Sequence, residues 1–548
     1  MKSSRALIGA LVLSLACQSS GGERPGDIVA DSLLTRIQVL ASDEFEGRAP
    51  GSVGEARTVS YLTDQFQQIG LAPGNPNGTF VQAVPLVGIT PQESTGLEII
   101  RDNEKLMLMP GADYVAYTKR VVEEVELNGE LVFVGYGAVA PEYEWDDFKG
   151  VDVKGKVLLM LVNDPPGPEI FGGRAMTYYG RWTYKFEIAA ARGAAGALVI
   201  HETGPAGYPW EVIGSNPYGE QFDLITEDRN MGRVQIEGWL QRAATAQLFR
   251  MAGFDFEEAK RAATQRDFQP IALGLTARTT VVNNLRMVNS HNVVARLEGT
   301  EAPDETIIYV AHWDHLGADT SLLGDQIFNG AKDNASGTAG LLEIASEFMR
   351  ARVPSRSVLF LAVTAEEQGL LGSRYYTGQP LYPLAQTVAV INMDALNVLG
   401  RTRDVTVVGM GQSNLDDLAE RIVRSMGRTL RPDPEPEKGF YYRSDHFEFA
   451  KVGIPAFNPN GGVEFLDKEE DWGLDMRERY TDEDYHKVSD EVKDYWDLAG
   501  AADDLKLFFE MGRDLANGKA WPEWSESSEF RAVRELSRAP VQCVSRLL

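Results

Sequence analysis

Three short, nearly continuous apolar runs, residues 307–311, 358–363 and 387–393, each end in acidic or imidazole side chains. His312 and Asp314 follow the first, Glu366 and Glu367 the second, and Asp394 the third. Runs this short, separated by a helix-period pattern at Leu341, Leu342, Ala345, Phe348 and Met349, predict buried parallel strands in an α/β sheet. In open sheets of this kind ligands bind at the carboxyl ends of the strands, so the residues after the runs are expected to share one crevice.

The rest of the chain divides by texture. In residues 26–126, Leu33, Leu34, Ile37 and Leu40 fall on one helical face and Val59, Leu62, Phe66 and Ile69 on another, which Gly70 stops. Between them, SDEFEGRAPGS reads as a solvated Gly and Pro turn with Arg48 exposed. From 127 to 280 the pattern becomes strand-rich: ELVFVGYG and GKVLLML, then an Ala-rich helix running through Gly193 into a strand that ends at His201. The first texture returns near Val281, where VVNNLRMVNSHNVVARLEGT predicts one or two strands with a turn. His201 and His291 are read as structural. AADDLKLFFEMGRDLA predicts a last packing helix, and the tail from 519, with Trp521 and Trp524, is read as peripheral. The expected organisation is a 1–25 leader and linker, an α/β domain in two pieces (26–126 and 281–518), a 127–280 insertion, and a 519–548 tail.

Composition narrows the chemistry. The 548 residues carry 53 Lys and Arg against 80 Asp and Glu, a formal charge of -27, which repels phosphate backbones and argues against nucleic acid. With cysteine only at Cys17 and Cys543, neither a disulfide framework nor a thiolate metal site is available. The N-terminus, MKSSRALIGALVLSLAC, has a basic start, a short apolar run and a small-residue end, the pattern of an export signal. It resembles a bacterial lipoprotein signal, which implies a periplasmic, outer-membrane or secreted protein whose membrane attachment, if any, is a lipidated Cys17. Ser14 and Leu15 depart from the usual residues before the cut.

Four carboxylates converging with nothing opposite them cannot all stay ionised. A pair of divalent cations resolves the conflict, and oxygen and imidazole donors without thiolate suit Zn²⁺, with Mn²⁺ or Co²⁺ as substitutes.

The motifs AHWDHLG, GAKDNASG, TAEEQGLLGS, NMDAL, YYRSDHFEFAKVGIPA and YHKVSDE, in this order, resemble those of the co-catalytic zinc exopeptidases (peptidase family M28). That family includes bacterial leucyl aminopeptidases, glutamate carboxypeptidase II and glutaminyl cyclases. The 127–280 segment is similar to the protease-associated domain, on GYG, DVKGKVLLML and AAARGAAGALVI. The resemblance implies a mixed, largely parallel sheet flanked by helices, with a β-rich insertion. It implies an aminopeptidase acting on peptide substrates with two zinc ions, His312 and Asp394 on one, Glu367 and His486 on the other, and Asp333 bridging both. Glu366 would be the general base towards a metal-bridging water, and Tyr485 would face the oxyanion. Asp314 is expected to orient His312, and Asp490 to do the same near His486. His315 and His446 are not ligand positions in the family, and Ser444 and Asp445 are explained as a helix cap. A cis peptide between Asp333 and Asn334 is also implied. The alternatives are a carboxypeptidase using Arg401, Arg403 or Arg443 to hold a substrate carboxylate, a glutaminyl cyclase, and an inactive binding module.

Overall fold

Alternation along the central strands decides how the layers stack. In the strand Ala302–His312, Ile307, Tyr309 and Ala311 enter one core, and Ile308 and Val310 enter another. Arg356–Val363 divides in the same way, with Val358, Phe360 and Ala362 on the first side and Leu359, Leu361 and Val363 on the second. Successive side chains point to opposite faces, and both faces are covered, which is why these strands read as unbroken apolar runs.

The computed structural model describes residues 27–92, 96–167, 171 and 173–538. The leader with Cys17 and the end of the tail with Cys543 lie outside them. Ala302–His312 runs between two parallel neighbours, Arg356–Val363 and Thr387–Asn392, and the latter is parallel to Ala456–Gly461. The mixed, largely parallel sheet is completed by antiparallel Ile271–Leu297 and Val81–Pro91. Helices Ala30–Leu40, Val53–Ile69, Gly337–Arg350 and Ala499–Asn517 cover the first face. Val53–Ile69 begins at Ser52, whose hydroxyl accepts the Glu55 N–H at 3.2 Å, and ends at Gly70, left-handed at φ 95°, the usual polar start and glycine stop. No helix among the described residues is long and apolar enough to cross a membrane.

Ile271–Leu297 is a single strand of 27 residues, without a turn in the part of 281–300 that it covers, where the sequence suggested one or two strands with a turn. Its one glycine, Gly274, coincides with a register shift between Ala272 and Thr276; beyond it no glycine or proline interrupts the extended chain. The first part pairs with Leu97–Arg101 and Glu124–Phe133, the second with Val81–Pro91, so one strand belongs to two sheets. In the second sheet Glu124–Phe133, Val157–Leu161, Gly196–His201 and Ile236–Gln241 lie side by side and parallel. Its core takes in Leu97, Ile99, Leu108 and Tyr114, upstream of Leu127. His201 closes its strand with a ring nitrogen 3.1 Å from Tyr208 O, and His291 Nδ1 lies 3.1 Å from Glu55.

Two segments read as peripheral are internal. Arg48 ends a short helix, Asp43–Arg48, and is 1% exposed; a guanidinium can be buried when backbone carbonyls take its donors. In the tail, Trp524 is 4% exposed with Nε1 donating to Gly453 O at 2.8 Å, and Phe530 packs on Tyr441 and Phe447.

The last long helix lies close against the central strand. The Tyr309 hydroxyl donates to Phe508 O at 2.7 Å, and a Cβ at Gly512 would run into the same hydroxyl. Gly512→Ala is expected to lower the unfolding free energy by about 1 to 3 kcal/mol through overpacking, measured by urea denaturation.

Candidate metal centre

The strand ends deliver their polar residues to one place. His312 is the last residue of its strand, Asp394 lies two past Asn392, and Glu366 and Glu367 follow Arg356–Val363 across Thr364 and Ala365. Ala365, Ala395 and His486 are left-handed at φ 53°, 56° and 57°. Such conformations cost on the order of 1 to 3 kcal/mol each in residues with a side chain. Here they turn the chain sharply beside or at site residues.

Asp333 divides its two oxygens. Oδ1 is 3.3 Å from His312 Nε2 and Oδ2 is 3.6 Å from His486 Nε2. On the first side His312 Nε2 is also 3.4 Å from Asp394 Oδ1; on the second His486 Nε2 is 2.9 Å from Glu367 Oε2. The structure thus brings together the five residues singled out from the strand ends and the later motifs. Donor atoms of His312, Asp333 and Asp394 lie within 4.8 Å of one another, as do those of His312, Glu366 and Glu367, and of His315, Asp333 and Glu367.

The donor chemistry fits a divalent cation. His486 Nε2 is buried and makes no hydrogen bond, although carboxylate oxygens face it. Imidazole nitrogen and carboxylate oxygen aimed at a common point without sharing a proton are the arrangement of ligands around zinc.

The surroundings fix these groups. Ser444 Oγ donates to Asp394 Oδ2 at 2.6 Å and accepts from Asn392 Nδ2 at 2.7 Å. Ser444 therefore orients Asp394, and neither Ser444 nor Asp445 makes a side-chain cap on the helix His446–Lys451. His315 Nδ1 lies 2.6 Å from Glu367 Oε1, leaving Oε2 for His486. The Asp314 carboxylate accepts the Glu366 and Glu367 N–H groups at 3.0 and 3.3 Å. His312 Nδ1 is closer to the Asp314 carbonyl, at 3.2 Å, than to its carboxylate, at 3.8 Å. Asp490 accepts the N–H groups of Lys332 and Asp333 at 3.1 Å and the Tyr480 hydroxyl at 3.1 Å, so it braces the Asp333 turn and not His486. The Asp333–Asn334 peptide is cis. Tyr485 stacks on His486 with ring centroids 3.8 Å apart.

Electrostatics separates the two adjacent glutamates. Burial, reinforced by Glu367 and Asp394, raises the Glu366 carboxyl well above the usual range against the pull of His312. Burial also raises Glu367, but His486 and His315 outweigh it and hold that group low. Burial pushes Asp314 up to about 7.

Strand-end carboxylates and imidazoles gathered at one place on an α/β sheet define a candidate site for a divalent cation. Residues 292–508 match the family description Peptidase family M28. The chain is 35% identical to rat aminopeptidase NAALADL1 over 127 residues, 22% of this chain and 16% of that enzyme's length. It is 34% identical to a probable zinc metalloprotease of Pyricularia oryzae over 109 residues, 20% of this chain and 21% of the relative. The aminopeptidase from Aneurinibacillus sp. strain AM-1 shares the fold, with a TM-score of 0.52 and 19% identity over 90% of this chain and 96% of that one.

His446, set aside as a ligand from the sequence, is buried beside the Tyr441 ring. Burial lowers it to about 3 from 6.5. The unfolded chain therefore binds a proton between these values that the folded chain refuses, and stability must fall as pH drops from about 6.5 towards 3. His446→Phe should flatten this acid limb by up to about 1.4 kcal/mol per pH unit, read from urea midpoints at successive pH values.

Proposed function

We propose that the chain is a zinc-dependent exopeptidase, an aminopeptidase that removes N-terminal residues from peptides. The observation that carries the reading is the division of Asp333 between two donor groups, Oδ1 towards His312 and Oδ2 towards His486. His312, Asp394 and Asp333 would hold one Zn²⁺, and Glu367, His486 and Asp333 the other. Bound zinc lowers the pKa of a coordinated water to roughly 7 and polarises a carbonyl.

Glu366 is the group left to move a proton. Its carboxylate takes one from the attacking water and returns it to the departing amine, the exchange expected of a base in a site that raises its pKa. Asp314 fixes its main chain. Tyr485, held face-on to His486, is the donor assigned to the developing oxyanion. Export is supported by the basic and apolar N-terminal pattern, and the 127–280 segment is assigned as a protease-associated domain beside the cleft.

A second reading, a carboxypeptidase, has one specific observation in its favour. Arg401 pairs with Asp503 and Arg403 donates to the Phe465 and Leu466 carbonyls. Arg443 Nη1, by contrast, is buried with no hydrogen-bond partner, its guanidinium 5.2 Å from the ring of Tyr208 in the second sheet's layer. A substrate carboxylate would satisfy it.

Turnover on free-amine, N-acetylated and C-amidated peptides, with zinc content measured alongside, separates the readings. The aminopeptidase hydrolyses C-amidated peptides with a free amine and spares N-acetylated ones; the carboxypeptidase hydrolyses N-acetylated peptides with a free carboxylate and spares C-amidated ones. Glu366→Gln is expected to keep its zinc and lose turnover by on the order of 10² to 10⁴-fold. Near wild-type rates in that variant would remove Glu366 as the base.

A further inference from the structure

Arg48 donates to four backbone carbonyls drawn from three places in the chain. Nε reaches Trp313 O at 2.8 Å, Nη1 reaches Leu40 O and Asn329 O at 2.7 Å, and Nη2 reaches Gly330 O at 2.9 Å. Trp313 directly follows His312, and Asn329 and Gly330 open the turn that carries Asp333. A helix cap would need Leu40 O alone, and an ion pair would take a carboxylate. Arg48 instead fastens both ligand-bearing loops to one planar group.

Its own placement is tightly specified. Glu46, Gly47 and Arg48 are successively left-handed, at φ 48°, 64° and 53°. A Cβ at Gly47 would collide with Gly317 O and come within 2.7 Å of Phe328 O, on the small hairpin between the two loops. Asn329 Nδ2 donates to Asp43 Oδ1 at 3.0 Å, and the His315 N–H approaches Arg48 O at 3.4 Å. Burial lowers the guanidinium to about 10 while Asp314, Asp490, Asp333 and Glu367 raise it, so it is cationic at neutral pH.

We propose that Arg48 is a positioning residue for the metal centre, setting the separation between His312 and Asp333 and thereby the affinity of the site for its cations. The proposal rests on the zinc reading above. Geometry rather than charge is the lever, because an added positive charge alone would weaken cation binding. Lysine, a point charge with three rotating donors, cannot span the same four acceptors.

The test is Arg48→Lys in the full chain, with Zn²⁺ titrated against a chromogenic chelator and thermal unfolding followed in parallel. The zinc dissociation constants are expected to rise about 10 to 100-fold, the loss typical of removing a group that orients metal ligands. A residue that only supports the fold would lower the melting temperature and leave zinc binding by the folded protein unchanged. Unchanged or tighter binding overturns the proposal. Should Arg48→Lys not fold, Arg48→Gln, which keeps a planar donor, is judged by the same constants. Absence of zinc binding by the wild-type chain would instead overturn the metal reading, so the two failures are distinct.

Discussion

Repulsion among carboxylates is the constraint on which the rest of the site depends. Asp314, Asp333, Glu366, Glu367 and Asp394 are gathered at the ends of parallel strands, and two unit charges about 4 Å apart repel by roughly 4 kcal/mol at an effective dielectric near 20. The chain answers unevenly. The Asp314 and Asp490 carboxylates are turned to main-chain N–H groups, while Asp333, Glu367 and Asp394 face imidazoles. Burial, with Glu367 and Asp394 nearby, leaves the Glu366 carboxyl raised against the pull of His312. Adjacent residues of the same chemistry are thereby separated, Glu366 raised and Glu367 held low.

Such a cluster needs its backbone held from several directions, and the hydrogen bonds supply this. Thr338 Oγ1 donates to His312 O at 2.6 Å, Asn334 Nδ2 donates to Met393 O at 3.0 Å, and Asn334 Oδ1 accepts the Ala395 N–H at 3.1 Å. Ser336 Oγ accepts the Leu396 N–H at 2.9 Å. The Asp333 turn is therefore knitted to the end of the His312 strand and to the Asp394 loop. A displacement of one strand end strains bonds to the other two, as expected of a site built on rigid elements with a supporting layer of hydrogen bonds.

The strands, their order along the site and the residues at their ends were legible in the sequence because burial on both faces leaves a distinctive run and function leaves polar residues where the run stops. The supporting groups were not. Arg48 looked exposed because its acceptors, the carbonyls of Leu40, Trp313, Asn329 and Gly330, carry no side-chain signature. Ser444 resembled a cap because it directly precedes a helix, and its true partner, Asp394, lies fifty positions earlier. His315 stands three residues after His312, a spacing that could have marked it, but its contact with Glu367 crosses between strands. The strand Ile271–Leu297 concealed its continuity because its neighbours change partway along it, and the surrounding texture changes with them.

Besides the shared strand, the second sheet's layer reaches the centre through the loop before Ser444. Met176 N–H donates to Pro436 O at 2.9 Å, Asn163 Nδ2 to Glu437 O at 3.0 Å and Arg181 Nε to Tyr442 O at 3.2 Å. Two residues beyond Tyr442 stands Ser444, which orients Asp394. The tail braces the same loop from the other side, with Phe530 against Tyr441. Shape at the strand ends is thus set partly by contacts made in another layer, which bear on Asp394 through Ser444, whereas Glu367 takes its support from His315 and Asp314.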